Sequence, residues 1–87
     1  MKAALQVAYA PYDRAFLQLA PHIQTRIQAR IDDMGLRLDT FPHQRLQSSH
    51  RCKLRVGDFR VIYVPDLAAG IIHLLGVGHR REIYKLK

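Results

Sequence analysis

The segment 51–64 constrains this chain more than any other. It reads Arg51-Cys52-Lys53-Leu54-Arg55-Val56, then Gly57-Asp58, then Phe59-Arg60-Val61-Ile62-Tyr63-Val64. Before Gly57 the residues alternate, with Arg51, Lys53 and Arg55 on one side and Cys52, Leu54 and Val56 on the other, which is the period of a half-buried strand. Glycine at the first central position supplies the positive φ that a two-residue hairpin turn needs. The register follows: Val56 opposite Phe59, Arg55 opposite Arg60, Leu54 opposite Val61. Arg55 therefore faces another arginine. Like charges directly opposite cost roughly 0.2–1 kcal/mol, and Arg51 and Lys53 add to the same side. A layout this unhelpful to folding points to an anionic partner that completes it.

Upstream of the hairpin, residues 2–8 carry Leu5 and Val7 in partial alternation and read as a short strand that Pro11 ends. A helix follows, with Asp13 as its N-cap and Phe16, Leu17 and Ala20 on its apolar side. Pro21 interrupts it and opens a second helix, where proline's missing N–H costs nothing. Ile23, Ile27 and Ile31 recur at four-residue spacing and lead to Met34, the strongest helical period in the chain, and this stripe is core. Gly35 is expected to close that helix. Residues 36–50 have no sustained period and contain Pro42, Ser48 and Ser49, so they read as a loop. After the hairpin, Pro65-Asp66 opens a turn, Gly70 closes it, and a third strand runs from Ile71 to about Val77. Its run Ile71-Ile72-His73-Leu74-Leu75 is apolar on both faces, as in the middle of a sheet. The fold class is α+β: an N-terminal strand and a helical hairpin packed on a small, twisted, largely antiparallel sheet, one domain over residues 1–87.

The chain holds 14 Lys and Arg against 7 Asp and Glu, a net charge of +7. The excess is uneven: residues 1–42 hold five Lys/Arg and four Asp, whereas residues 43–87 hold nine Lys/Arg and three Asp/Glu. A basic half on a folded domain points to nucleic acid, an acidic protein or an anionic membrane surface. No apolar run nears the ~20 residues of a transmembrane helix and no signal-type apolar core is visible, which points to a cytoplasmic protein with no membrane partner. Cys52 is alone, so no intramolecular disulfide or cysteine zinc cluster can form, and on the inward side of its strand it reads as core.

If the third strand runs antiparallel to the second, the cations of the hairpin lie near Gly76-Val77-Gly78-His79-Arg80-Arg81-Glu82-Ile83-Tyr84. Arginine forks hold phosphate oxygens, and Tyr or His rings offer stacking surfaces to unpaired bases. The combination suits single-stranded RNA; a solvated cationic face is the other reading of the same pattern. Asp58 and Glu82 are the only acids close in sequence, and no spacing suits a metal, which argues against metal-dependent hydrolysis. RNA carries its own nucleophile, the 2′-hydroxyl, which needs a base and cations to stabilise the phosphorane. Lysine suits the base role, because neighbouring positive charges favour a neutral amine. His22 and His43 read as surface residues, His73 as a satisfied structural histidine, and His79 stands apart because it precedes Arg80. Arg26 and Arg30, at i and i+4, read as a solvated basic helix face that could also receive an acidic partner.

The strings Leu54-Arg55-Val56-Gly57-Asp58-Phe59-Arg60-Val61-Ile62-Tyr63 and Val77-Gly78-His79-Arg80-Arg81-Glu82-Ile83-Tyr84 resemble the signature of the RelE/ParE superfamily of bacterial and archaeal toxins. The resemblance covers nearly the whole chain. It implies the toxin of a type II toxin–antitoxin pair, with a cognate antitoxin as partner. In the RelE branch it further implies cleavage of mRNA on the ribosome by 2′-hydroxyl attack, without metal or cofactor. By position, Arg51 and Lys53 match the family's basic pair before the turn, and because Arg51 stands where a lysine often occurs, Lys53 is the base candidate. Arg60 matches the phosphate-holding arginine, Arg80 the acid or charge stabiliser, and Tyr84 the tyrosine that stacks on or orients the substrate. Arg55 matches a backbone-binding position, and His79 and Arg81 flank Arg80 as RNA contacts. The ParE branch implies instead a non-enzymatic inhibitor of DNA gyrase, and a degenerate member would bind its antitoxin alone.

Overall fold

A computed structural model describes residues 2–47 and 49–83. The chain runs β1 (Leu5–Ala8), α1 (Ala10–Leu17), α2 (Pro21–Leu36), β2 (Gln44–Arg45), β3 (Cys52–Val56), β4 (Phe59–Asp66) and β5 (Ile71–His79). The strands form one five-stranded sheet in the order β1-β5-β4-β3-β2. β1 runs parallel to β5, and the other three pairings are antiparallel. The β3–β4 hairpin has the register expected from alternation, and Gly57 sits at φ 59°, in the left-handed region its turn requires.

Several boundaries differ from the sequence reading. α1 begins at Ala10, before Asp13, so Pro11 does not end a strand but lies in the first helical turn. Proline needs no N–H there, and Asp13 contributes as a first-turn acid near the positive end of the helix rather than as the cap, which is Tyr9. α2 opens at Pro21 as expected, but Gly35 stays helical. The helix stops at Arg37, whose φ of −143° leaves the helical region, while Gly35 O accepts a 2.9 Å bond from Ala4 N that ties the helix end to the entry of β1. Within the expected loop, Gln44 and Arg45 pair with Lys53 and Cys52 as a two-residue strand, too short to show a period. β5 runs on to His79 with a bulge: pairing steps from Ile62 with Gly76 to Tyr63 with Leu74, which leaves Leu75 extra.

Both helices cover one face of the sheet. Ile27, Ile31 and Met34 of α2 are fully buried against Cys52, Leu54, Val61, Tyr63, Ile72 and Val77. His43 belongs to this packing rather than to the surface. Its Nε2 donates to Leu38 O at 2.7 Å, so its Nδ1 accepts from the Tyr63 hydroxyl at 2.6 Å. The loop's histidine thereby satisfies a phenol that is 0% exposed. His73 is satisfied as expected, by the Tyr9 hydroxyl at 2.9 Å.

Tyr12 has no such partner among the described residues: its ring is buried and its hydroxyl makes no hydrogen bond. Burial pushes the phenols of both Tyr12 and Tyr63 up, so each stays protonated. The two should respond oppositely to loss of the oxygen. Tyr12→Phe removes an orphaned polar atom and is expected to raise stability by about 1 kcal/mol, whereas Tyr63→Phe strands His43 and should cost about 1 kcal/mol. Thermal denaturation of both variants tests this, and a lowered Tm for Tyr12→Phe would refute it.

Candidate nucleic-acid interface

Strand alternation sends the hairpin's cations to the face opposite the helices. In β3 the burial pattern alternates, with Cys52, Leu54 and Val56 buried, Lys53 half-buried and Arg55 exposed. On β4, Arg60 lies opposite Arg55, and Ile62 lies opposite Lys53. Across the sheet, Arg60 and Ile62 are opposite Gly78 and Gly76. These glycines leave room for a fold-back: Ile83 rests on them, its Cδ1 3.5 Å from where a Cβ on Gly78 would stand. Ile83 is 4% exposed although it lies outside the helix-covered core. The turn after β5 is thus pinned on the open face, beside the cations, by one isoleucine.

The Gly57-Asp58 turn gathers the arginines. Arg60 Nη1 donates to Gly57 O and to Phe59 O, both at 3.0 Å, which folds its side chain back over the turn. Arg80 N donates to Asp58 O at 2.7 Å, and Arg80 Nε stands 3.9 Å from Asp58 Oδ1. Arg80 and Arg60 therefore converge on one two-residue turn, with Arg55 opposite Arg60. Lys53 stands two residues back along β3, and Arg51 lies about 13 Å from Arg55 by strand rise. The Nε of Arg51 donates to Ser49 Oγ at 3.3 Å, at the end of the strand away from the turn.

His79 is not brought to this face. Because Gly78 faces the cations, its neighbour His79 points to the helix side, where its ring meets Phe59 edge-on at 5.7 Å. Its Nδ1 accepts from Arg81 N at 3.2 Å, so the histidine shapes the turn that carries the exposed Arg81. Tyr84 lies outside the described residues. Cys52 is buried, and burial pushes its thiol up, consistent with a core residue.

Two arginines that read as a solvated helix face reach the same hairpin. Arg30 Nη1 donates to Arg55 O at 3.1 Å, and Arg26 Nη2 lies 3.2 Å from where a Cβ on Gly57 would stand. Their i, i+4 spacing was visible in the sequence, but nothing in it places α2 alongside β3. Among the described residues, no group of three or more His, Cys, Asp or Glu is placed to hold a metal ion, and no helix is long and apolar enough to cross a membrane.

Residues 9–84 match a family described as "ParE toxin of type II toxin-antitoxin system, parDE". Solved structures share the fold. A chain of the RelBE2 toxin–antitoxin complex from Mycobacterium tuberculosis is similar with a TM-score of 0.75 and 18% identity, over 91% of this chain and 100% of that one. The isolated RelE toxin of E. coli gives 0.77 at 11% identity, over 95% and 93%. A chain of the RelB–RelE antitoxin–toxin complex from Methanococcus jannaschii gives 0.70 at 19% identity, over 91% and 95%. At these identities the likeness is one of fold. No curated protein matches the chain.

Proposed function

Because this chain belongs to the ParE toxin family of type II toxin–antitoxin systems, within the RelE/ParE superfamily, we propose that it is an endoribonuclease that cleaves mRNA on the ribosome until its antitoxin blocks it. The supporting observation is the convergence of Arg60 and Arg80 on the Gly57-Asp58 turn, with Arg55 opposite Arg60 on the open face.

In this reading Lys53 takes the proton of the 2′-hydroxyl. The hydroxyl oxygen bonds the adjacent phosphorus as the bond from phosphorus to the 5′-oxygen breaks, leaving a 2′,3′-cyclic phosphate and a 5′-oxygen that takes a proton from water to become the 5′-hydroxyl end. Arg55 and Arg60 hold the phosphate oxygens through guanidinium forks. Arg80 stabilises the charge that develops on the phosphorane and on the departing 5′-oxygen. Tyr84 stacks on or orients a base, while Arg51 and Arg81 contact backbone on either side, and His79 acts through the Arg81 turn it holds. The ribosome supplies positioning that a site without a strong acid would otherwise lack.

The second reading, which the family's ParE description leaves open, is a ParE-like inhibitor of DNA gyrase. Primer extension on mRNA in a translating extract separates the two. New 5′ ends made by the parent protein support the nuclease; their absence, with inhibition of gyrase supercoiling, overturns it in favour of the second reading.

The strand cations make a separate prediction. If Lys53 and Arg55 neutralise RNA phosphates, Lys53→Ala and Arg55→Ala should each lower the slope of log affinity against log salt by roughly 0.7, the single-strand value. Fluorescence anisotropy over a salt series measures it. An unchanged slope returns these residues to the solvated-face reading.

A further inference from the structure

We infer that the RNA track does not end at the open face of the sheet but crosses the β3 edge onto α2, where Arg26 and Arg30 hold backbone phosphates flanking the cleaved one. The inference rests on the RNA-cleaving reading and extends its footprint to a second element.

The turn glycine is where the two sets of cations meet. Arg60 Nη1 lies 3.0 Å from Gly57 O, while Arg26 Nη2 lies 3.2 Å from the Cβ position of the same residue. A helix arginine and a strand arginine thus flank one glycine, and the absence of a side chain there lets the helix guanidinium lie against the backbone. One turn along α2, Arg30 reaches the carbonyl of Arg55, whose own side chain belongs to the open face. The cations of helix and sheet therefore form one band around the hairpin edge rather than two separate faces.

Within that band the paired acid is Asp58, 3.9 Å from Arg80, set against Arg26, Arg30, Arg55 and Arg60. Among the described residues the ion pairs are Arg37 with Asp33 and Arg80 with Asp58. Asp33, which lies near Arg30, is bonded to Arg37 at 2.9 Å, and both arginines help to hold its carboxyl below the usual range. β2 covers β3 only at Cys52 and Lys53, so the stretch Leu54–Val56 carries no further strand on that edge and meets Arg30 of α2 at Arg55 O. Like charges held together with so few acids favour a ligand with one charge per repeat, and a phosphodiester chain supplies it, with guanidinium forks to match each phosphate.

The test uses 2′-O-methyl oligonucleotides, which lack the attacking hydroxyl, in a short form of about four nucleotides and a long form of about twelve, within the range of single-strand sites. The double variant Arg26→Gln/Arg30→Gln should bind the short form as the parent does. For the long form its salt slope should fall by roughly 1.4, so that between about 50 and 200 mM salt the parent loses roughly sevenfold more affinity than the variant. Arg26→Lys/Arg30→Lys keeps the charges and should keep the parent slope, which separates charge from the bond to Arg55 O. A parent slope in the Gln variant overturns the inference alone. The same result with weakened antitoxin binding overturns it in favour of an acidic protein partner. A parent that binds neither oligonucleotide, on or off the ribosome, overturns the RNA reading itself.

Discussion

Arg80→Ala is expected to lower mRNA cleavage by roughly 10²–10³-fold, the loss that follows removal of one preorganised donor aimed at a developing oxyanion. The fold should barely notice. The Arg80 side chain is 49% exposed, and its pairing with Asp58 spans 3.9 Å, an arrangement worth about 0–1 kcal/mol at most in water. The contact that pins the segment is made by the backbone: Arg80 N donates to Asp58 O at 2.7 Å, and alanine retains that bond. Ile83 also stays seated on Gly76 and Gly78. Cleavage and Tm should therefore separate, with activity nearly lost and melting within a few degrees of the parent. Single-turnover cleavage on programmed ribosomes, read beside thermal denaturation, checks both. Retained cleavage removes Arg80 from the chemistry, and a matching collapse of Tm assigns it to the fold.

The hairpin that carries this site was legible because two independent signals agreed. Period-two alternation puts Lys53 and Arg55 on the side away from Leu54 and Val56, and Gly57-Asp58 fixes the turn, so the pairing of Arg55 with Arg60 follows from the sequence alone. The Ile27 and Ile31 stripe was legible for the same reason at helical period. What escaped was decided by contacts distant in sequence. Gln44 and Arg45 become a strand only because β3 offers them an edge. His43 leaves the surface because Tyr63, twenty residues on, needs an acceptor for a buried hydroxyl. His79 shares a segment with Arg80, yet alternation in β5 turns its ring to the other face, toward Phe59. Arg26 shows the same limit most clearly: helical spacing says which residues share its side, but only packing shows that this side meets Gly57. Local signals thus specified the elements, while the composition of the candidate site depended on how α2 lies against the sheet.

That dependence makes Ile31→Ala the variant with the largest expected cost in stability. Ile31 is 0% exposed, within the sixteen-residue α2, between Ile27 and Met34, which are equally buried. Truncation removes buried methyl groups and leaves a cavity that a close-packed interior refills only in part, at about 2–5 kcal/mol. A domain of this length has total stability on the order of 4–13 kcal/mol, so the loss takes a large share of it. Tm should drop by at least about 8 °C, since each kcal/mol is worth roughly 4–8 °C at this size. Ile23→Ala, two helical turns earlier and only partly buried, should cost much less. A partner that binds the folded state should raise the Tm of both variants without removing the difference between them. Equal shifts for Ile31→Ala and Ile23→Ala would contradict the packing described above. A shift confined to Ile31→Ala, with the long-oligonucleotide salt slope unchanged in the molecules that remain folded, would show that the lost packing is felt in stability and not in the placement of Arg26 and Arg30 on the hairpin edge.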